Sequence, residues 1–98
     1  MTTSTGTGIG ASALTLHPQV ALRPEPFGAL AYHYGNRRLV FLKHPDVVRV
    51  VNALAAHPSV DATLDACAIA PPRRPGFHQA LTALVESEIL LPARAEAA

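Results

Sequence analysis

With 98 residues, 49% of them hydrophobic, the chain has material for one domain with a modest core. A formal net charge of +1 gives it no strong electrostatic claim on nucleic acid or a membrane surface. The single cysteine, Cys67, excludes an internal disulfide framework, and no apolar run approaches the roughly 20 residues of a membrane span.

Residues 1–17 are rich in Thr, Gly, Ser and Ala and are expected to form a flexible N-terminal tail. Within them "GTGIGA" has the glycines of a phosphate loop but neither the strand before it nor the amphipathic helix after it. The start of the chain also lacks the basic and apolar regions of a signal peptide, so the expected location is the cytoplasm. A domain is expected over 18–91, followed by a short tail over 92–98.

The domain opens with strand character. "QVALRP" is short and ends at Pro24. "FGALAYHY" and "RRLVFLK" flank Gly35-Asn36, a signal for a tight two-residue hairpin turn. That turn sets Tyr34 opposite Arg37, Tyr32 opposite Leu39 and Leu30 opposite Phe41, all on one face. The other face carries Ala29, Ala31, His33, Arg38, Val40 and Leu42. The first face has the larger side chains and is expected to cover the core.

After Lys43 the period becomes helical. Pro45 and Asp46 suit a first turn, and Val47, Val50 and Leu54 give an apolar stripe. Ser59 suits the cap of a second helix with Leu64, Cys67 and Ala68 inward. "APPRRPG" is expected to be a loop. A third helix is expected from about Phe77 to Glu88, with Phe77, Ala80, Leu81 and Leu84 on its inner face, and "ILLP" then returns to the body. The expected fold class is α+β, with three strands followed by three helices.

Catalytic chemistry finds little support. The five histidines show no i, i+4 pair on one helix and no second cysteine to complete a zinc site, so no metal or other cofactor is expected. Cys67 reads as a small buried hydrophobe, since no His or carboxylate stands at an activating spacing. The third helix presents His78, Gln79, Thr82 and Glu86 outward without a cation, which argues against DNA reading. Binding then needs a surface. Pro24 and Pro26 remove donors from the first strand's edge, whereas the third strand has no proline and is bracketed by Arg37, Arg38 and Lys43. Cations there guard an edge against aggregation; the alternative is an edge that accepts a peptide as a fourth strand.

"LRPEPFGALAYHYGNRRLVFLK", with "VVNALAAHPSVDATL" and "FHQALTALVESEILL" behind it, resembles the mycofactocin-system peptide chaperones, small stand-alone relatives of the PqqD-like precursor-recognition proteins. The resemblance spans about Val20 to Leu91. It implies a winged-helix-like fold and a protein that is not itself an enzyme. Its partners would be the leader region of a ribosomally made precursor peptide and a radical S-adenosylmethionine maturation enzyme, with no nucleic acid and no membrane. It further implies that the leader adds as a strand along Arg37, Arg38, Leu39, Val40, Phe41, Leu42 and Lys43. The groove wall would be drawn from Phe77, Ala80, Leu81, Leu84 and Val85. If Arg73 and Arg74 rim that groove, five cations surround it, favouring a leader that alternates aliphatic and acidic residues. The competing readings are a winged-helix nucleic-acid binder and a structural subunit of an enzyme complex.

Overall fold

The computed structural model describes residues 8–93. In chain order these form α1 (Gly8–Ala11), β1 (Leu14–Leu16), β2 (Val20–Glu25), β3 (Gly28–His33), β4 (Leu39–Leu42), α2 (Pro45–Ala53), α3 (Val60–Ala66), α4 (Arg74–Glu86) and β5 (Leu90–Pro92). The class is α+β: β2, β3 and β4 make a three-stranded antiparallel meander, and β1 pairs with β5 in a separate antiparallel ribbon.

The ribbon, together with α1, departs from the expected order of three strands then three helices. Leu14 pairs with Pro92 and Leu16 with Leu90, and the pairing is extended by the amide of His17 donating to Ile89 (2.9 Å) and that of Ala93 to Ala13 (2.8 Å). Leu14, Ile89 and Leu90 are buried beneath it. Residues 8–17 therefore pack on the body, where a tail was expected, and so does Pro92. A three-residue strand leaves no periodic signal of its own and exists because its partner lies more than seventy residues away. The remainder of both expected tails, 1–7 and 94–98, falls outside the described residues.

In the meander the expected register holds: Leu30 faces Phe41 and Tyr32 faces Leu39. The turn differs. His33 accepts from the amide of Arg37 (2.8 Å) and donates its own amide to Arg38 (2.9 Å), so four residues close the loop. The left-handed residue is Arg37, with φ of 65°, rather than the glycine. The His33 ring braces this loop, its Nδ1 accepting from the amides of Gly35 (3.0 Å) and Asn36 (3.1 Å).

The buried face is the opposite of the one expected. Ala29, Ala31, His33 and Leu42 are buried, while Leu39, Phe41 and Tyr34 are more than half exposed. Small side chains on the inner face let α2 pack closely on β3. Bulky residues on that face would push α2 off the sheet. At Gly28, φ is 149° and an added Cβ would collide with the Leu42 carbonyl oxygen, so β3 opens on a glycine where it meets the end of β4.

The helices begin where their chemistry says. His44 caps α2, its Nδ1 accepting from the Asp46 amide (3.2 Å), with Pro45 in the first turn. Ser59 Oγ accepts from the Ala62 amide (3.0 Å) at α3. Leu64 and Cys67 point inward as expected, but Ala68 lies exposed in a left-handed conformation just past the helix. The run "APPRRPG", expected to be irregular, forms a 3₁₀ turn (Pro71–Arg73) and the first residues of α4. Its prolines sit at opening helical positions, where no amide is needed. Val50, Leu54, Leu64, Leu81 and Ile89 close the core.

Candidate functional site

The candidate site is the free edge of β4 and the trough beside it. In an antiparallel ladder the bonding pairs alternate. The Tyr34 amide donates to Gln19 in the direction of β2 (2.8 Å), and the His33 amide donates towards β4. Carried along the register, Ala31 bonds with Val40 and Ala29 with Leu42, so the amides of Val40 and Leu42 point into the sheet. Those of Leu39, Phe41 and Lys43 point away from it. The same alternation places Pro24 in a non-bonded pair with Ala29, so the opposite edge lacks a donor there. The Val20 amide on that edge is already given to the His17 carbonyl (2.9 Å). Of the two edges, β4 keeps three outward amides, whereas β2 keeps that of Leu22 alone.

Beside β4 runs a groove of about 430 Å³. One wall is Val40, Phe41, Leu42 and Lys43 with His44 and Val47 at the start of α2, and the other is Ala80, Ala83 and Leu84 of α4. A smaller recess of about 160 Å³ adjoins it through the shared residues His44 and Val47 and is closed by Arg73, Gly76 and Phe77. The small side chains of Ala80 and Ala83 give the groove its width.

The expected site residues fall into three groups. Val40, Phe41, Leu42, Lys43, Ala80 and Leu84 line the groove, and Leu39 continues the same edge. Phe77 is buried and shows only in the recess. Leu81 is fully buried in the core and Val85 lies away from the groove lining, while Arg37 and Arg38 sit at the far end of the edge, beyond it. His44, Val47 and Ala83 complete the lining and were not singled out. Ala83 follows Ala80 by three residues, so helical spacing would have pointed to it; His44 and Val47 reach the groove through the α2 packing angle, which the sequence does not show.

The ring of five cations is not present. Arg74 is committed to Asp65 (2.7 Å) and to the Ile69 carbonyl (2.9 Å). Arg73 pairs with Asp46 (2.9 Å) and lies over the Phe77 ring at 5.3 Å. Asp46 also accepts from Arg49 (2.9 Å), and the hydrogen bonds from Arg49 and then Arg73 hold its carboxyl below the usual range. Among the described residues, Arg37, Arg38 and Lys43 make no ion pair.

The lining offers apolar contact and backbone hydrogen bonds rather than paired acid–base groups. His78 Nε2 lies 3.1 Å from Asp61 Oδ1, but neither residue lines the groove. Among the described residues no three His, Cys, Asp or Glu side chains gather as a metal site. None of the described helices is long and apolar enough to cross a membrane.

Comparison with known proteins matches the family model "Peptide chaperone MftB family" over residues 13–91. The chain is 51% identical over 81 residues to the peptide chaperone MftB of Mycolicibacterium smegmatis, covering 83% of this chain and 79% of that protein. It is 44% identical to that of Mycobacterium ulcerans over 81 residues, covering 83% and 74%. The corresponding protein of Mycobacterium tuberculosis is 43% identical over 77 residues, covering 79% and 71%. No solved structure matches. The match begins at residue 13, so it takes in the β1 strand and the whole meander, the groove and β5's first residues, and the chain belongs to the MftB family of peptide chaperones.

Proposed function

We propose that this chain is a non-catalytic carrier that takes the leader of a ribosomally made precursor peptide as a fourth strand along β4 and presents the peptide to a radical S-adenosylmethionine enzyme. The observation that carries this reading is an open strand edge, with three outward amides, running beside an apolar groove. An extended peptide there would satisfy those amides through its main chain and seat alternate side chains against Val47, Ala80 and Ala83. Backbone bonds would supply affinity and the groove would supply selection. The succession of β2, β3 and β4 into α2, α3 and α4 supports a winged-helix-like reading of the body. The single buried cysteine suits a cytoplasmic setting, where thiols stay reduced.

The test is calorimetric titration with the synthetic leader. Phe41→Pro deletes an outward amide, whereas Phe41→Ala keeps it. Loss of binding in the proline variant, with binding retained in the alanine variant and both folded by circular dichroism, is expected. Equal affinity in both would remove strand addition from the account.

A further inference from the structure

The outer face of the meander carries the molecule's second surface. Four large apolar side chains stand exposed among the described residues, Phe27, Tyr34, Leu39 and Phe41, and all four are on this side. They are continuous. Phe27, in the β2–β3 connection, stacks on Phe41 at 5.7 Å. Phe41 faces Leu30 and Leu39 faces Tyr32 across the ladder, and Tyr32 meets Tyr34 edge-on at 5.1 Å. With exposures of 38%, 61%, 52% and 53%, these four side chains leave about 400 Å² of mostly apolar surface in water. That is within the range of the largest patch on an ordinary monomer, where such patches are often functional. Among the described residues nothing packs over it, and at Phe41 it meets the rim of the groove.

We propose that this aromatic outer face is a docking surface for the maturation enzyme, met through an apolar patch bordered by carboxylates. The inference rests on the strand-addition reading. Charge selects the partner's chemistry: Arg37 and Arg38 stand at one end of β4 and Lys43 at the other, without ion pairs among the described residues, while Arg23 is neutralised on this face by Glu25 at 3.3 Å. Charge also selects against a second copy: a two-fold pairing of this face would bring each copy's Arg37, Arg38 and Lys43 towards those of the other. A leader added along β4 widens the same face by one strand, with every second side chain of the peptide lying on it. The loaded carrier therefore offers the enzyme a larger surface than the empty one.

The experiment titrates the purified maturation enzyme into leader-loaded protein, comparing the parent with Phe27→Ser/Tyr34→Ser. Neither residue touches the groove. Leader affinity should stay within about twofold, while enzyme affinity falls at least about tenfold. Phe27→Leu, which keeps the apolar contact, should recover most of it. Unchanged enzyme affinity would overturn the proposal. So would a concentration-dependent dimer in sedimentation that the serine changes abolish while enzyme binding persists. If the serine variant does not fold, Arg37→Glu/Arg38→Glu tests the same surface: slower enzyme association, most marked at low salt, supports it, and an unaltered rate and salt dependence refutes it. If the parent binds no leader but the serine variant still loses the enzyme, the docking surface stands and strand addition falls.

Discussion

Adjacent residues on β4 face opposite ways, and truncating each in turn measures which face holds the fold together. Leu42 is 3% exposed and packed among Ala29, Ala31 and α2. Leu42→Ala removes its contacts and leaves a cavity, costing about 3 kcal/mol. Phe41 is 53% exposed, so about half of a ring of roughly 200 Å² is withdrawn from water. At about 25 cal/mol per Å², less what alanine keeps, Phe41→Ala costs about 1–2 kcal/mol, the Phe27 stack included. A domain of this size holds roughly 5–15 kcal/mol in total, so both variants fold. With Tm falling about 6 °C per kcal/mol, circular dichroism melts should place Leu42→Ala about 18 °C below the parent and Phe41→Ala about 9 °C below. If Phe41→Ala melts as low as Leu42→Ala, the aromatic face is load-carrying and the assignment of inner and outer faces is wrong.

Two further outcomes follow from the groove and its surroundings. Ala83→Leu narrows the groove from α4 without touching the core, since Ala83 is exposed and leucine is a good helix former. Leader affinity should drop at least about tenfold with an unchanged Tm, and calorimetry beside a thermal melt checks both. Asp46, with its carboxyl held below the usual range by Arg49 and Arg73, stabilises the fold above the unfolded aspartate value near 4, and this contribution fades as pH falls through the lower folded value. Asp46→Asn should therefore lower Tm at pH 7 and converge with the parent in strong acid, a pH series of melts being the measurement.

Much of the fold was legible because it rests on short-range chemistry. The register of the hairpin followed from Gly35-Asn36, although the loop closes over four residues and bends at Arg37. The α2 start at Pro45-Asp46 and the Ser59 cap are local side-chain matters. The choice of sheet face was not legible. Both faces are apolar, and what decides between them is the distance of closest approach between α2 and β3, which favours Ala29 and Ala31 over Leu30 and Tyr32. The β1–β5 ribbon was hidden for a related reason: Leu14–Leu16 becomes a strand only when Leu90–Pro92 reaches it. At the site, the open edge could be argued from the prolines of "RPEP". The free cations could not, because the partnering of Arg73 with Asp46 and of Arg74 with Asp65 joins segments that only the fold brings together.

The central claim is that the leader becomes a strand on β4, and amide hydrogen exchange with and without the synthetic leader tests it most directly. The amides of Leu39, Phe41 and Lys43 point away from the sheet in the free protein and should exchange quickly, then slow sharply when the leader is bound. The amides of Val40 and Leu42, bonded to β3 throughout, should change little. Protection alternating in this way along the strand is the predicted result. Saturating leader with Leu39, Phe41 and Lys43 still exchanging at their free rates would contradict the account.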